Sequence, residues 1–107
     1  MPKYLIQAAY TAEGLKGLQK DKASGRKAAT IKAVESVGGK LESFYCALGA
    51  SDVVIIIDVP DNVSAAALSV TASASGLIHS KTTALLTVEE VDRALAKSVS
   101  FKAPGRR

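Results

Sequence analysis

A chain of 107 residues, 48% apolar, has enough apolar mass for one core and too little for two. Its single cysteine excludes an internal disulfide, and its longest apolar run, Val53 to Ile57, is far short of the roughly 20 residues that a membrane-spanning helix needs. The net charge of +4 is uneven: the basic excess lies in residues 1–40 and in the tail, while residues 41–97 are acidic on balance.

The opening "MPKYLIQAAY" lacks the apolar length of a secretory leader, so a soluble, cytoplasmic protein with no membrane partner is expected. Residues 1–97 read as a single domain and residues 98–107 as a basic, flexible tail, since Pro104 and Gly105 oppose a continuing helix. The cluster Lys16, Lys20, Lys22, Arg26 and Lys27 is the one stretch suited to phosphate. With no aromatic residue interleaved for stacking bases it reads as a solvated helix and loop face, and nucleic acid is not an expected partner.

In chain order, "KYLIQAAY" (Lys3 to Tyr10) predicts a strand, and the Gly-containing "TAEGLKGL" a loop after it. A helix follows from about Ala23 to Val37, with Ala28, Ile31, Val34 and Val37 inward and Gly38-Gly39 as its stop. "KLESFYCAL" and "DVVIIIDV" read as two strands of a hairpin joined across "GAS", with Gly49 in the left-handed conformation. Pro60-Asp61 opens a second helix with Val63, Ala66, Ala67, Val70 and Ala74 inward, closed by Gly76. "LIHSKTTALL" is a fourth strand. In "TVEE", Thr87 and Glu90 can cap each other's backbone N–H, which predicts a short last helix with Val88, Val91 and Leu95 inward. This order is that of an α+β, ferredoxin-like βαββαβ two-layer sandwich with an extra C-terminal helix. Both main helices cover one sheet face and leave the other bare.

Three stretches, "YTAEGLKGL", "VGGKLESFYCALGASDVVIIIDVPD" and "SKTTALLTVEE", resemble the GYD-domain family in order and spacing, over roughly residues 4 to 95. The resemblance implies a small bacterial protein of the dimeric α/β-barrel type and supplies no reaction. The tyrosine expected immediately before Asp52 is Ser51 here, so any contact that tyrosine makes in relatives is missing from this chain.

Asp52 and Asp58 flank the apolar run and invite a reading as a carboxylate pair. Strand alternation places Asp52, Val54, Ile56 and Asp58 on one face and Val53, Ile55, Ile57 and Val59 under the helices. Six residues of strand still separate the two α-carbons by roughly 20 Å, beyond the 5 to 9.5 Å or so of cooperating carboxyls. They read as strand-end residues, Asp52 bonding N–H groups of the hairpin link. His79 has no second histidine to help hold a metal, and Cys46 reads as a small buried residue. No nucleotide, metal or nucleophile motif is present, and the glycines at 14, 17, 25, 38 and 39 read as turns and helix ends.

The expected function is therefore a non-catalytic, homodimeric small-molecule-binding or assembly domain without cofactor or metal. The partner is a second copy, through the helix-free face bearing Val54, Ile56 and Tyr45. The alternative is a cofactor-independent enzyme, monooxygenase- or isomerase-like, acting on a small organic substrate. His79 or Asp52 would be its base, with Tyr10, Tyr45 or Lys81 orienting the ligand.

Overall fold

The computed structural model describes residues 1–105; Arg106 and Arg107 of the basic tail lie outside the described residues. The elements are β1 (Lys3–Tyr10), α1 (Ala12–Ser36), β2 (Lys40–Cys46), β3 (Val53–Asp58), α2 (Asn62–Ala74), β4 (Ile78–Leu85) and α3 (Val88–Leu95). The four strands form one antiparallel sheet in the order β2-β3-β1-β4, with each main helix crossing over to the same side. This is the ferredoxin-like α+β arrangement.

β3 fixes the two faces. Val53, Ile55 and Ile57 are buried under the helices together with Val59, while Val54, Ile56 and Asp58 alternate onto the opposite face. The register carries this division across the sheet. Tyr4, Ile6, Ala8 and Tyr10 of β1 share the helix side, opposite Ala84, Thr82, Ser80 and Ile78 of β4. Lys3, Leu5, Gln7 and Ala9 share the other, with Thr83, Lys81 and His79. In β2 an irregularity at Glu42 lets Leu41 and Phe44 both pack on the core while Ser43 and Tyr45 face the helix-free side.

Several elements depart from the expectation, each for a physical reason. The stretch "TAEGLKGL" is helix, not loop: Thr11 caps it by accepting from the Gly14 N–H at 3.2 Å, and α1 continues to Ser36 across a break at Lys22, whose φ of 66° interrupts the helical backbone. Gly14 is a packing glycine inside this helix, because a Cβ there would collide with the Leu77 carbonyl oxygen. Gly39 likewise lets the chain pass Asp58, whose carbonyl oxygen would lie 2.5 Å from an added Cβ. On the second half of α1, Ile31, Val34 and Val37 face inward as expected, and Ala28 is exposed.

The β2–β3 link runs from Ala47 to Asp52 rather than through three residues, and Gly49 does not adopt a positive φ. α2 is rotated from the expected face: Ala65, Leu68, Ser69 and Ala72 point inward, while Val63, Ala66, Ala67, Val70 and Ala74 are exposed. Its sequence carries a helical period on both sides. The choice falls to tertiary contacts, since the buried Tyr4 hydroxyl bonds Asn62 Oδ1, and Asp61 caps the helix by accepting from the Ser64 N–H at 2.8 Å. Small residues also let the helix approach the sheet closely. α3 has the expected Thr87–Glu90 capping box, but Val88, Val91 and Leu95 are all exposed rather than inward. Cys46 is exposed, at the edge of the sheet, not buried.

Candidate functional site

A cleft opens between the sheet and the seam of α1 and α2. Its floor is low because two small residues, Ala8 of β1 and Ser80 of β4, stand opposite each other on the helix side. Its roof is equally low, formed by Ala29 and Ala33 of α1 and Ala72 of α2. The resulting cavity measures about 150 Å³ and is walled by Ile6, Phe44, Val53, Ile55 and Leu68. It continues along the seam into a more open groove of about 370 Å³ floored by Gly14, Gly17 and Leu77; Tyr10 and Arg26 line both.

Few polar groups reach this space. Ser80 Oγ is buried and has no hydrogen-bonding partner among the described residues, whereas Thr30 Oγ1 is already spent on the Arg26 carbonyl at 2.8 Å. A buried hydroxyl without a partner costs on the order of 1–3 kcal/mol, so it is retained most readily where something else bonds it. Arg26 lies at the mouth, partly buried, with Nη1 3.7 Å from Asp21 Oδ2. That separation is long for a charge-assisted hydrogen bond and leaves most of the guanidinium's five donors free for another acceptor.

The sequence candidates divide between two sides of the sheet. Tyr10 alone is on the cleft side and lines it. Tyr45 and Lys81 are on the helix-free face, exposed, at opposite edges of one transverse row that runs Tyr45, Val54, Gln7, Lys81. His79 is exposed beside Ala9 on the same face. The Asp52 side chain bonds β1 rather than the hairpin link: its carboxylate accepts from the Tyr10 N–H at 2.8 Å, while its main chain joins both, the N–H donating to the Ala8 carbonyl at 2.8 Å and the carbonyl accepting from the Ala47 N–H at 2.8 Å. Asp58 stands at the other end of β1, 2.8 Å from Lys3 Nζ, which also reaches Glu42 at 2.7 Å. These hydrogen bonds, Asp58's foremost and then Glu42's, hold the Lys3 ammonium above its ordinary pKa. Thus the two aspartates anchor opposite ends of one strand; among the described residues no ion pair joins Asp52 and His79, and neither lines the cleft.

Ser80 and Arg26 were not singled out by sequence. A signal existed for Ser80: the helix-side positions of β4 read Ile78, Ser80, Thr82, Ala84, small and polar where a core strand is usually large and apolar. Arg26 was submerged in the basic cluster. Among the described residues, no three His, Cys, Asp or Glu side chains gather into a metal-binding group, and no helix is long and apolar enough to cross a membrane.

The fold and cleft define a ferredoxin-like α+β domain with an open helix–sheet seam. The GYD domain profile matches residues 4–95, and the chain belongs to the GYD domain family. No curated protein and no solved structure matches the chain significantly.

Proposed function

We propose that the chain is a small-molecule-binding domain whose ligand occupies the cleft between the sheet and the α1–α2 seam. The observation that carries this reading is the buried, unpartnered Ser80 Oγ in a mainly apolar cavity. A few placed polar groups within apolar walls are the ordinary composition of a ligand site. A cavity of about 150 Å³ holds a benzene-sized body, and its donors include the Ser80 hydroxyl on the floor, the Arg26 guanidinium and the Tyr10 phenol. The ligand this favours has one apolar ring or a short branched chain, a hydrogen-bonding group for Ser80, and a carboxylate for Arg26. Binding is favoured over turnover because the lining offers a phenol, hydroxyls and an always-charged guanidinium, with no carboxylate or imidazole in the enclosed part to act as a base. The enzyme alternative would need His79 or Asp52 to act from outside that lining.

In this reading the domain works as a homodimer, with Leu5, Val54 and Ile56 of the helix-free face covered by a second copy. A thermal-shift and NMR titration with single-ring aromatic carboxylates and phenols tests the binding claim. Members of the series are expected to raise the melting temperature of the wild type and to lose that effect in Ala72→Leu, which fills the cavity. The reading fails if no member shifts the wild type, or if Ala72→Leu responds equally.

A further inference from the structure

The segment that follows β4 is the chain's longest stretch of uncovered apolar side chains. Leu86 is 66% exposed, Val88 77%, Leu95 78% and Phe101 76%, with Val91 and Val99 exposed between them. We propose that α3 is an intermolecular arm, its Val88–Val91–Leu95 stripe docked on the helix-free sheet face of a second copy. The proposal rests on the homodimer reading and adds the element that makes the assembly.

Three features of the chain select a second copy as the occupant. The first is area. The chain exposes 7723 Å², against about 5,700 Å² for a compact monomer of its mass. The excess, about 2,000 Å², exceeds the roughly 800 Å² per partner of a standard interface and falls within the range of obligate homodimers. The second is shape. The radius of gyration is 17.2 Å and the long axis 60 Å, whereas a compact domain of this length has a radius near 13 Å. α3 packs closely against no other element of the chain, and a helix of eight residues is marginal in water without tertiary cover.

The third is charge. α3 carries Glu89, Glu90 and Asp92 against Arg93. The helix-free face carries Lys3, Lys40 and Lys81 against Glu42, Asp58 and Asp52, but Lys3 already satisfies the first two acids and the Tyr10 N–H bonds the third. Among the described residues Lys40 and Lys81 have no carboxylate within ion-pair distance, and Glu89 and Asp92 have no cation within it. In a two-fold pair, each arm meets the face that its partner leaves open, so one self-complementary interface covers both unpartnered surfaces.

Sedimentation equilibrium of the full chain and of the double variant Val91→Glu/Leu95→Glu tests this. Both positions are exposed in the single chain, so the variant should keep its circular dichroism. The wild type is expected at twice 11.1 kDa and the variant at 11.1 kDa. A folded variant that stays dimeric overturns the arm. Ile56→Asp, run alongside, separates the two claims: if it dissociates the pair while the arm variant does not, the dimer stands and the arm falls. A monomeric wild type overturns both. Hydrogen exchange supplies a second readout, in which the amides of α3 should be protected at high protein concentration and lose that protection on dilution. Protection independent of concentration would mean that α3 packs on its own chain, and would overturn the arm.

Discussion

Ser80→Ala is the sharpest single test of the cleft, because the binding reading and an ordinary core reading predict opposite signs for it. In an ordinary core, removing a side-chain atom costs packing, and a buried hydroxyl taken from a partner costs more. Here Ser80 Oγ is buried with no partner among the described residues. On the binding reading the ligand-free cleft is dry at Ser80, and the wild type then carries a desolvation penalty of about 1–3 kcal/mol. Deleting the oxygen forfeits the dispersion contacts of one atom, at about 0.1–0.2 kcal/mol per contact, beside a cavity that is already open on one side. The balance favours the variant by on the order of 1 kcal/mol, which for a domain of this size raises the melting temperature by roughly 4–8 °C. The same change removes the hydroxyl from the ligand, so affinity for the carboxylate and phenol series should fall about 5- to 10-fold, the equivalent of about 1 kcal/mol. Thermal melts at one fixed protein concentration, with and without ligand, measure both, and Thr30→Val, whose hydroxyl bonds only the Arg26 backbone, serves as the control. A Ser80→Ala protein that melts well below the wild type, or that binds the series unchanged, would refute the reasoning.

The other predictions concern the frame around the cleft. Asp52→Ala leaves the Tyr10 N–H without its acceptor and should cost roughly 1–2 kcal/mol in denaturant unfolding, whereas Asp52→Asn keeps an acceptor and should cost less than about 1 kcal/mol; equal effects would mean that the bond at 2.8 Å carries no weight. Gly14→Ala drives a methyl group into the Leu77 carbonyl and should destabilise by about 1–3 kcal/mol. Gly17→Ala, in the same helix with nothing near it, should be neutral or gain up to about 1 kcal/mol, so a loss at both positions would argue against the close approach. The Ser64 N–H depresses the carboxyl of Asp61 and the Thr87 N–H that of Glu90, so their stabilising contributions are present above the ordinary values of 3.8 and 4.5 and vanish as pH falls through the lower folded values. Asp61→Asn keeps the cap without the charge and should flatten its share of that acid limb in pH-resolved melts.

How much of this was legible in the sequence depended on whether the deciding contact was local. The alternation from Val53 to Val59 places β3 with no outside help, and the Thr87–Glu90 box declares a helix start within four residues. Gly14 misled because its reason lies far along the chain, at Leu77; read locally, a glycine after Thr11 suggests a loop. The rotation of α2 was ambiguous, since Val63 and Val70 make one helical stripe and Ala65, Leu68 and Ala72 another, and the Tyr4–Asn62 bond and close packing decide for the smaller set. The cleft was hidden for a related reason. Ala8 and Ser80 make a low floor only because the β1–β4 register sets them opposite each other, and no local pattern encodes that register.

The two aspartates that first suggest chemistry serve the frame of the sheet. Both belong to β1. Asp52 extends the sheet at the Tyr10 end, and Asp58 with Glu42 fixes Lys3 at the other, so the central strand is tied at each end by a carboxylate. Both acids are engaged in this way, and the helix side of β1 carries Ile6, Ala8 and Tyr10. The only side-chain hydrogen-bonding group buried there without a partner among the described residues is the Ser80 hydroxyl next to Ala8. A strand held rigidly at both ends makes a fixed floor, and a fixed floor with one unpartnered donor suits a preorganised binding site better than a reaction that must move protons between groups.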